Sequence, residues 1–426
     1  MDIINTFDSL YKRGLKALEF DRNARLEPDR EKVFKRFFRN QEAARLLGIT
    51  HDQLRYLLKT EKSLAKAEGR IFPSNMSPTR IDGKNKGWTI SAINNIREVY
   101  AGNPRYKIFN PRKAEGETAA RIAVPMFKGG AGKSTTCIHT AIHLALRGYR
   151  VLVVDCDAQA TTSMQFKSFN EINGSKTIDD YLTAEWDRTH NQLDDKSLLD
   201  SSAYVQSTYV PNLDLLPANL YLYETEISFP VRQYQDSEYD LQFQLDKMLS
   251  NIDDDYDVII MDTAPSMSYL TINALFAANM VLMPIPAKEY DFESSLMFFN
   301  MVSGLMKTFK NLGVQVPDYD VIKILTSKFG GKASEVDMDA TMRAAFSNFK
   351  MLFPMLDSDA IGGASGDRTT VLEINGCDYN GSQRTYKRAT DMLSKVMWEV
   401  ECLILGRWSS KAELLEIMEN KEWEAA

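Results

Sequence analysis

The stretch Phe127-Lys128-Gly129-Gly130-Ala131-Gly132-Lys133-Ser134-Thr135-Thr136 decides the fold. An apolar segment, Arg121-Ile122-Ala123-Val124-Pro125-Met126, precedes it, and a helix-like one, Cys137 to Leu146, follows. Strand, glycine loop and helix in that order form the setting of a phosphate-binding loop. Glycines let the backbone approach phosphate oxygens, and N–H groups at the helix N-terminus meet their charge. Gly129, Gly130, Ala131, Gly132, Lys133, Ser134 and Thr135 are the expected nucleotide-binding residues. Lys133 is placed to reach the β- and γ-phosphates of ATP, and the Ser134 hydroxyl to ligate Mg²⁺. Lys128 is a second lysine that a generic loop does not need.

Working outward, apolar runs at Val151–Val154, Leu213–Leu216, Val258–Met261, Val281–Pro284 and Val321–Leu325 read as strands, with helical stretches between most of them. That alternation predicts an α/β fold with a doubly wound, mostly parallel sheet, whose ligands sit at the carboxyl ends of the strands. Asp155 and Asp157 follow the run Val151–Val154, and Asp262 follows Val258–Met261. A single Asp at a strand end is commonly a helix cap. Here three matched strand ends share one chain, the first carrying the lysine-serine loop, so Asp155 and Asp262 are read as Mg²⁺ ligands. Asp157 is read as the residue that orders a water beside the γ-phosphate.

The chain has 426 residues and net charge −7, yet its first 114 residues carry 24 Lys and Arg against 13 Asp and Glu. A basic amino-terminal module on an acidic body points to an anionic partner. Residues 1–38 show charged and apolar positions at helical spacing and are expected to form a helical arm, a candidate for dimerisation. Residues 40–62 read as helix, turn at Gly48, and a second helix N-capped by Thr50, which is the pattern of a helix-turn-helix. Arg55 and Lys59 lie on that second helix, and Arg80, Lys84 and Lys86 in a hairpin or wing; all five are candidate DNA contacts. A polar linker near 101–119 marks the expected boundary, giving 1–38, 39–110, 111–408 and an acidic tail at 409–426. No apolar run approaches the ~18 residues of a membrane span, and the cysteines Cys137, Cys156, Cys377 and Cys402 lack metal-ligand spacing. The expected location is the cytoplasm.

Lys128 to Ser134, with the acidic strand ends, resembles the deviant phosphate-loop ATPases of the ParA/MinD group, although Phe127 stands where that group often has glycine or asparagine. Over nearly the whole chain the resemblance is to ParA-type DNA-partition ATPases, in the larger subgroup with an N-terminal DNA-binding region. Val210–Asn219, Pro284-Ile285-Pro286, Asp291–Ser295 and Arg384–Ala389 match that subgroup as well. The resemblance implies the deviant phosphate-loop fold, preceded by a smaller, mainly α-helical, winged helix-turn-helix-like domain. It implies that two subunits sandwich two ATP molecules, with Lys128 crossing to the partner's nucleotide, and that Pro284, Ile285 and Pro286 border the adenine base. It also implies binding to nonspecific DNA and to a specific operator that the protein represses, nucleoid association, a ParB-type centromere-binding partner that stimulates hydrolysis, and possible filaments on DNA.

Arg384, Lys387 and Arg388 head an amphipathic helix on an otherwise acidic domain, a pattern suited to sequence-independent phosphate contacts. A membrane-cycling relative would need a basic amphipathic tail, whereas Lys411 to Ala426 carries two lysines against five glutamates. An iron-protein reductase would need paired cysteines at a dimer axis. The remaining rival is a repressor that uses nucleotide only as a co-ligand; retention of Lys128 and Asp157 favours turnover.

Overall fold

The computed structural model describes residues 9–14, 16–17, 32–68, 74–80, 86–167, 169–190, 200–237, 239–361 and 369–420. Met1–Phe34 and Lys35–Ala426 are two separate compact units. In the first, residues 9–14 and 16–17 are helical, and the rest of the expected arm up to residue 31 lies outside the described residues. Residues 32–37 are not helical, contrary to expectation. The physical reason lies at Phe38, whose N–H and C=O pair with Trp88 in an antiparallel bridge at 2.9 and 2.8 Å, so the chain arrives there extended.

The larger unit begins with two helices, Asn40–Leu46 and His51–Ala67. Ala43 and Ala44 are buried, so the two helices approach closely, and Gly48 turns the chain at φ +71°. Thr50 and Gln53 cap the second helix reciprocally, each side chain accepting the other's backbone N–H at 3.2 and 2.8 Å. A two-stranded antiparallel hairpin follows, β1 (Thr79–Arg80) and β2 (Lys86–Gly87), and then the helix Ile90–Tyr100.

The body is a seven-stranded sheet. Its strands are β3 (Ala120–Val124), β4 (Val151–Cys156), β5 (Gln206–Ser207), β6 (Leu213–Leu216), β7 (Val258–Thr263), β8 (Met280–Pro286) and β9 (Val321–Ser327). They run in the order β5-β6-β4-β7-β3-β8-β9, parallel throughout except for β5, which pairs antiparallel with β6 at one edge. Strands β3, β4, β7 and β8 are buried along their whole length. Helices cover both faces, which is why these strands read as unbroken apolar runs rather than as alternating ones. The fold is therefore the doubly wound α/β sheet that the sequence predicts.

The phosphate-loop helix, Lys133–Arg147, runs from the carboxyl edge of the sheet to the amino-terminal helices. At its far end Arg147 donates to the carbonyls of Arg45 and Leu46 at 2.9 and 2.7 Å. Arg97 donates to Leu46 O and Leu146 O, both at 2.8 Å. Glu401, on the long helix Gln383–Leu405, accepts from Arg147 Nε at 3.0 Å and from Tyr149 OH at 3.1 Å. Gly148 ends the helix at φ +104°, and a β-carbon there would stand 2.9 Å from Arg97 Cδ. Residues 409–420, the described part of the expected acidic tail, are not solvated throughout. The helix Ala412–Asn420 buries Leu414 and Met418.

Candidate nucleotide site

The loop between β3 and the helix Lys133–Arg147 takes its shape from two left-handed glycines, Gly130 at φ +73° and Gly132 at φ +97°. A residue with a β-carbon would be strained at either position. Among the described residues, the N–H groups of Gly130 and Gly132 have no acceptor. Phe127, the departure from the group's usual residue, packs edge-on to Phe298 at 4.7 Å between ring centroids. It anchors the start of the loop to the helix Glu289–Asn311, which also carries Asp291. Lys128 is paired with that Asp291 at 2.5 Å.

Lys133 is buried. Burial lowers its pKa, while the charges of Asp262 and Asp157 pull it back up, so both carboxylates face the ammonium. Asp155 and Asp262 lie opposite each other in register on β4 and β7, and neither is exposed to solvent. The acidic residues thus sit inside the strands rather than just beyond them. Burial, and then the charge of Asp262, raises the pKa of Asp155 well above the usual carboxylate range. Burial likewise raises that of Asp262, against the pull of Thr162 and Ser134 hydroxyls and of Lys133.

Neighbouring residues hold this pair in place. Ser163 donates to Asp155 Oδ2 from its N–H at 2.8 Å and from its hydroxyl at 2.7 Å. Thr162 Oγ1 donates to Asp262 Oδ2 at 2.6 Å. Asp262 Oδ1 is left buried with no hydrogen-bond partner. Two like carboxylates in register, one with an orphaned oxygen, beside a serine hydroxyl, are a donor set that suits a hard divalent cation. Asp157 is half-buried, with Oδ1 accepting from Gln159 N at 3.0 Å.

The structure brings together Lys128, Gly129–Thr135, Asp155, Asp157 and Asp262. Pro284, Ile285 and Pro286, the expected border of the adenine base, are strand residues and not a loop. They are the last residues of β8, buried and paired in register with Leu325, Thr326 and Ser327, so the strand continues through them. Arg55 and Lys59 are exposed on the helix His51–Ala67, Arg80 and Lys86 belong to β1 and β2, and Lys84 lies outside the described residues. Arg384, Lys387 and Arg388 are exposed on the first turns of Gln383–Leu405, remote in sequence from the loop. A β-carbon on Gly331 would lie 3.5 Å from Arg388 Nη2, which puts Arg388 against the segment that follows β9.

Sequence reasoning missed the supports Thr162 and Ser163, the anchoring role of Phe127, and the pairing of Lys128 with Asp291. It also missed Ser327 at the end of β9, whose hydroxyl donates to Ala131 O at 2.6 Å. Short hydroxyl residues and single acids carry no spacing pattern, and only Asp291 had a signal, within the matched segment Asp291–Ser295. Cys137 and Cys156 are buried, and burial pushes both thiols well up, so neither presents a thiolate. Among the described residues, no helix is long and apolar enough to cross a membrane.

A family described as an AAA domain matches residues 119–315. The chain is 32% identical over 380 residues to a Rhizobium rhizogenes protein provisionally named a replication protein A, covering 88% of each. It is 28% identical to protein SopA of Escherichia coli K12 over 89% of this chain and 92% of that one. To the chromosome-partitioning ATPase Soj of Treponema pallidum it is 30% identical, over 48% of this chain and 77% of that one. A solved structure described as a partition protein superposes with a TM-score of 0.56 at 18% identity, over 91% of this chain and 98% of that one, and so has the same fold. With the lysine-bearing glycine loop and the paired strand-end carboxylates, these likenesses establish that the chain belongs to the ParA-type partition ATPases.

Proposed function

We propose that this protein hydrolyses ATP to segregate plasmid or chromosomal DNA, through ATP-dependent dimerisation and nonspecific DNA binding. The single observation that carries the reading is buried Lys133 facing Asp262, beside Ser134 and Asp155, with Asp262 Oδ1 unsatisfied. Mg²⁺ and ATP, when bound, supply the cation and the scissile phosphoanhydride. Lys133 and the N–H groups of Gly130 and Gly132 neutralise and orient the phosphates. Ser134, Asp155 and Asp262 hold the cation, and Asp157 orients the attacking water. Lys128 supplies a cation across a dimer axis, so the site is completed by a second copy.

DNA-binding and regulatory roles extend this reading. Exposed Arg384, Lys387 and Arg388 bind DNA without regard to sequence in the ATP state. Residues 39–110 bind operator DNA through Arg55 and Lys59, with Arg80, Lys84 and Lys86 on the hairpin, and repress the protein's own operon. Residues 1–38 support dimerisation, 111–408 form the ATPase, and a ParB-type protein on a centromere-like site stimulates hydrolysis. Support comes from the kinship with SopA and Soj and from the charge asymmetry of the chain.

The test is a titration on operator and random duplex, each with Mg·ATP and with ADP, alongside phosphate release. Tighter binding to random duplex with ATP, and turnover that rises with DNA, are expected. Operator binding without any phosphate release would leave only the repressor reading.

A further inference from the structure

We propose that Lys328 is a third cation of the nucleotide site, supplied by the end of β9 and directed at the phosphates of a bound nucleoside di- or triphosphate. The inference rests on the phosphate-loop reading above and extends it to a residue that no loop motif contains.

Strand β9 is separated from β3 by β8, yet its last residues press against the loop. Ser327 Oγ donates to Ala131 O at 2.6 Å, and a β-carbon on Gly132 would stand 3.5 Å from Ser327 Cβ. One residue further, a β-carbon on Gly130 would stand 3.7 Å from Lys328 Nζ. The ammonium therefore hangs over the glycine whose left-handed turn opens the loop.

What it meets there is other donors. The N–H groups of Gly130 and Gly132 have no acceptor among the described residues, and Lys328 itself has no ion-pair or hydrogen-bond partner among them. Cations and N–H groups repel one another unless an anion lies between them. In the same site, Asp262, which faces Lys133, has its Oδ1 buried and unsatisfied. The loop donors lack an anion and Asp262 Oδ1 lacks a partner, and a nucleotide phosphate chain with its metal would supply both together.

The backbone holds Lys328 there against its own preference. Its φ is +49°, in the left-handed region that favours glycine or asparagine. Both flanks are fixed: Met355 N donates to Thr326 O at 2.8 Å, and Phe329 N to Met355 O at 3.0 Å. Thr326 also donates its hydroxyl to Asp339. A side chain presented on strained but pinned backbone is a common device for positioning a functional group.

The experiment compares full-length wild type with Lys328→Gly, Lys328→Arg and Lys133→Ala. Binding of fluorescent ADP and ATP analogues with Mg²⁺ is titrated, and melting is followed without nucleotide. Lys328→Gly is expected to weaken nucleotide binding about tenfold, the size of one charge-assisted contact. Because glycine relieves the left-handed backbone, its melting temperature without nucleotide stays equal to or above wild type. Lys328→Arg retains most of the affinity.

Unchanged nucleotide affinity in Lys328→Gly, with Lys133→Ala defective, overturns the role of Lys328 and leaves the phosphate loop standing. A fall in melting temperature that accounts for the weaker binding overturns it in favour of a structural role. Normal binding in Lys133→Ala removes the phosphate-loop reading, and this inference with it.

Discussion

The Lys128 ammonium lies 2.5 Å from Asp291 Oδ1, within the same subunit. Asp291 is buried in the first turn of the helix Glu289–Asn311, whereas Lys128 is 44% exposed. A lysine that completes a partner's site must first leave this carboxylate. For a half-exposed pair that step costs ~1 kcal/mol. Two such pairs break per symmetric dimer, so Asp291→Asn should lower the protein concentration needed for ATP-dependent dimerisation by roughly 30-fold. Sedimentation velocity with a non-hydrolysable ATP analogue measures this, and an unchanged midpoint would show that the pair does not hold Lys128 back.

Lys133→Ala is expected to weaken ATP binding by ~100-fold or more, since it removes a buried cation facing the phosphates. Lys128→Ala should leave binding nearly intact while slowing turnover. Equilibrium titration and phosphate release separate the two effects. Equal loss of affinity in both variants would contradict the division of labour between the lysines.

Arg384→Ala with Lys387→Ala should weaken ATP-dependent binding to random duplex and flatten its log–log salt slope by roughly 0.9 for each DNA phosphate no longer neutralised. Operator affinity in ADP should be spared. Arg55→Ala should do the reverse. Anisotropy over a salt series reads both, and a uniform effect on the two DNAs would merge the two surfaces into one.

Burial holds His139 neutral, its pKa pushed down from the usual 6.5 to about 4 despite the Nδ1 contact with Thr135 O. Below about pH 6.5 the unfolded chain takes up a proton that the folded chain refuses until about pH 4. Stability is thus complete above that window and falls as the pH drops through it, by ~2 kcal/mol between about pH 7 and pH 5. His139→Gln should remove that slope in urea melts; an unaltered slope assigns it to another group.

Glu401 acts lower on the pH scale. Burial would raise its pKa, but Arg147 and His143 override that and bring it to about 2. The stabilisation is present above the usual carboxylate range and disappears as the pH falls through about 2. Arg147→Met leaves a buried carboxylate unpaired and should destabilise the protein by roughly 3–5 kcal/mol. Arg147→Met with Glu401→Leu should recover much of that stability, as urea melts of the two variants would show.

Much of this was legible in the chain because parallel strands buried on both faces leave continuous apolar runs. β4, β6, β7, β8 and β9 all appear as such runs, and β6 coincides with Leu213–Leu216. β5 has only two residues, neither of them apolar, and gave no signal. The loop and the acids Asp155 and Asp262 were readable because spacing ties them to strand ends. What the sequence withheld were contacts between distant segments: Thr162 on Asp262, Asp291 on Lys128, and Lys328 over Gly130. Pro284–Pro286 close β8, and their register with Leu325–Ser327 of β9 keeps both prolines within the strand.

The helix Lys133–Arg147 has 15 residues, so its ends stand about 22 Å apart. Lys133 is at one end, and at the other Arg147 grips the last carbonyls of Asn40–Leu46, with Arg97 sharing the Leu46 oxygen. No loop intervenes to absorb displacement. A tilt of this rod at the loop end would pull on the hydrogen bonds that Arg147 makes to the first amino-terminal helix, so the two ends of the helix are mechanically joined.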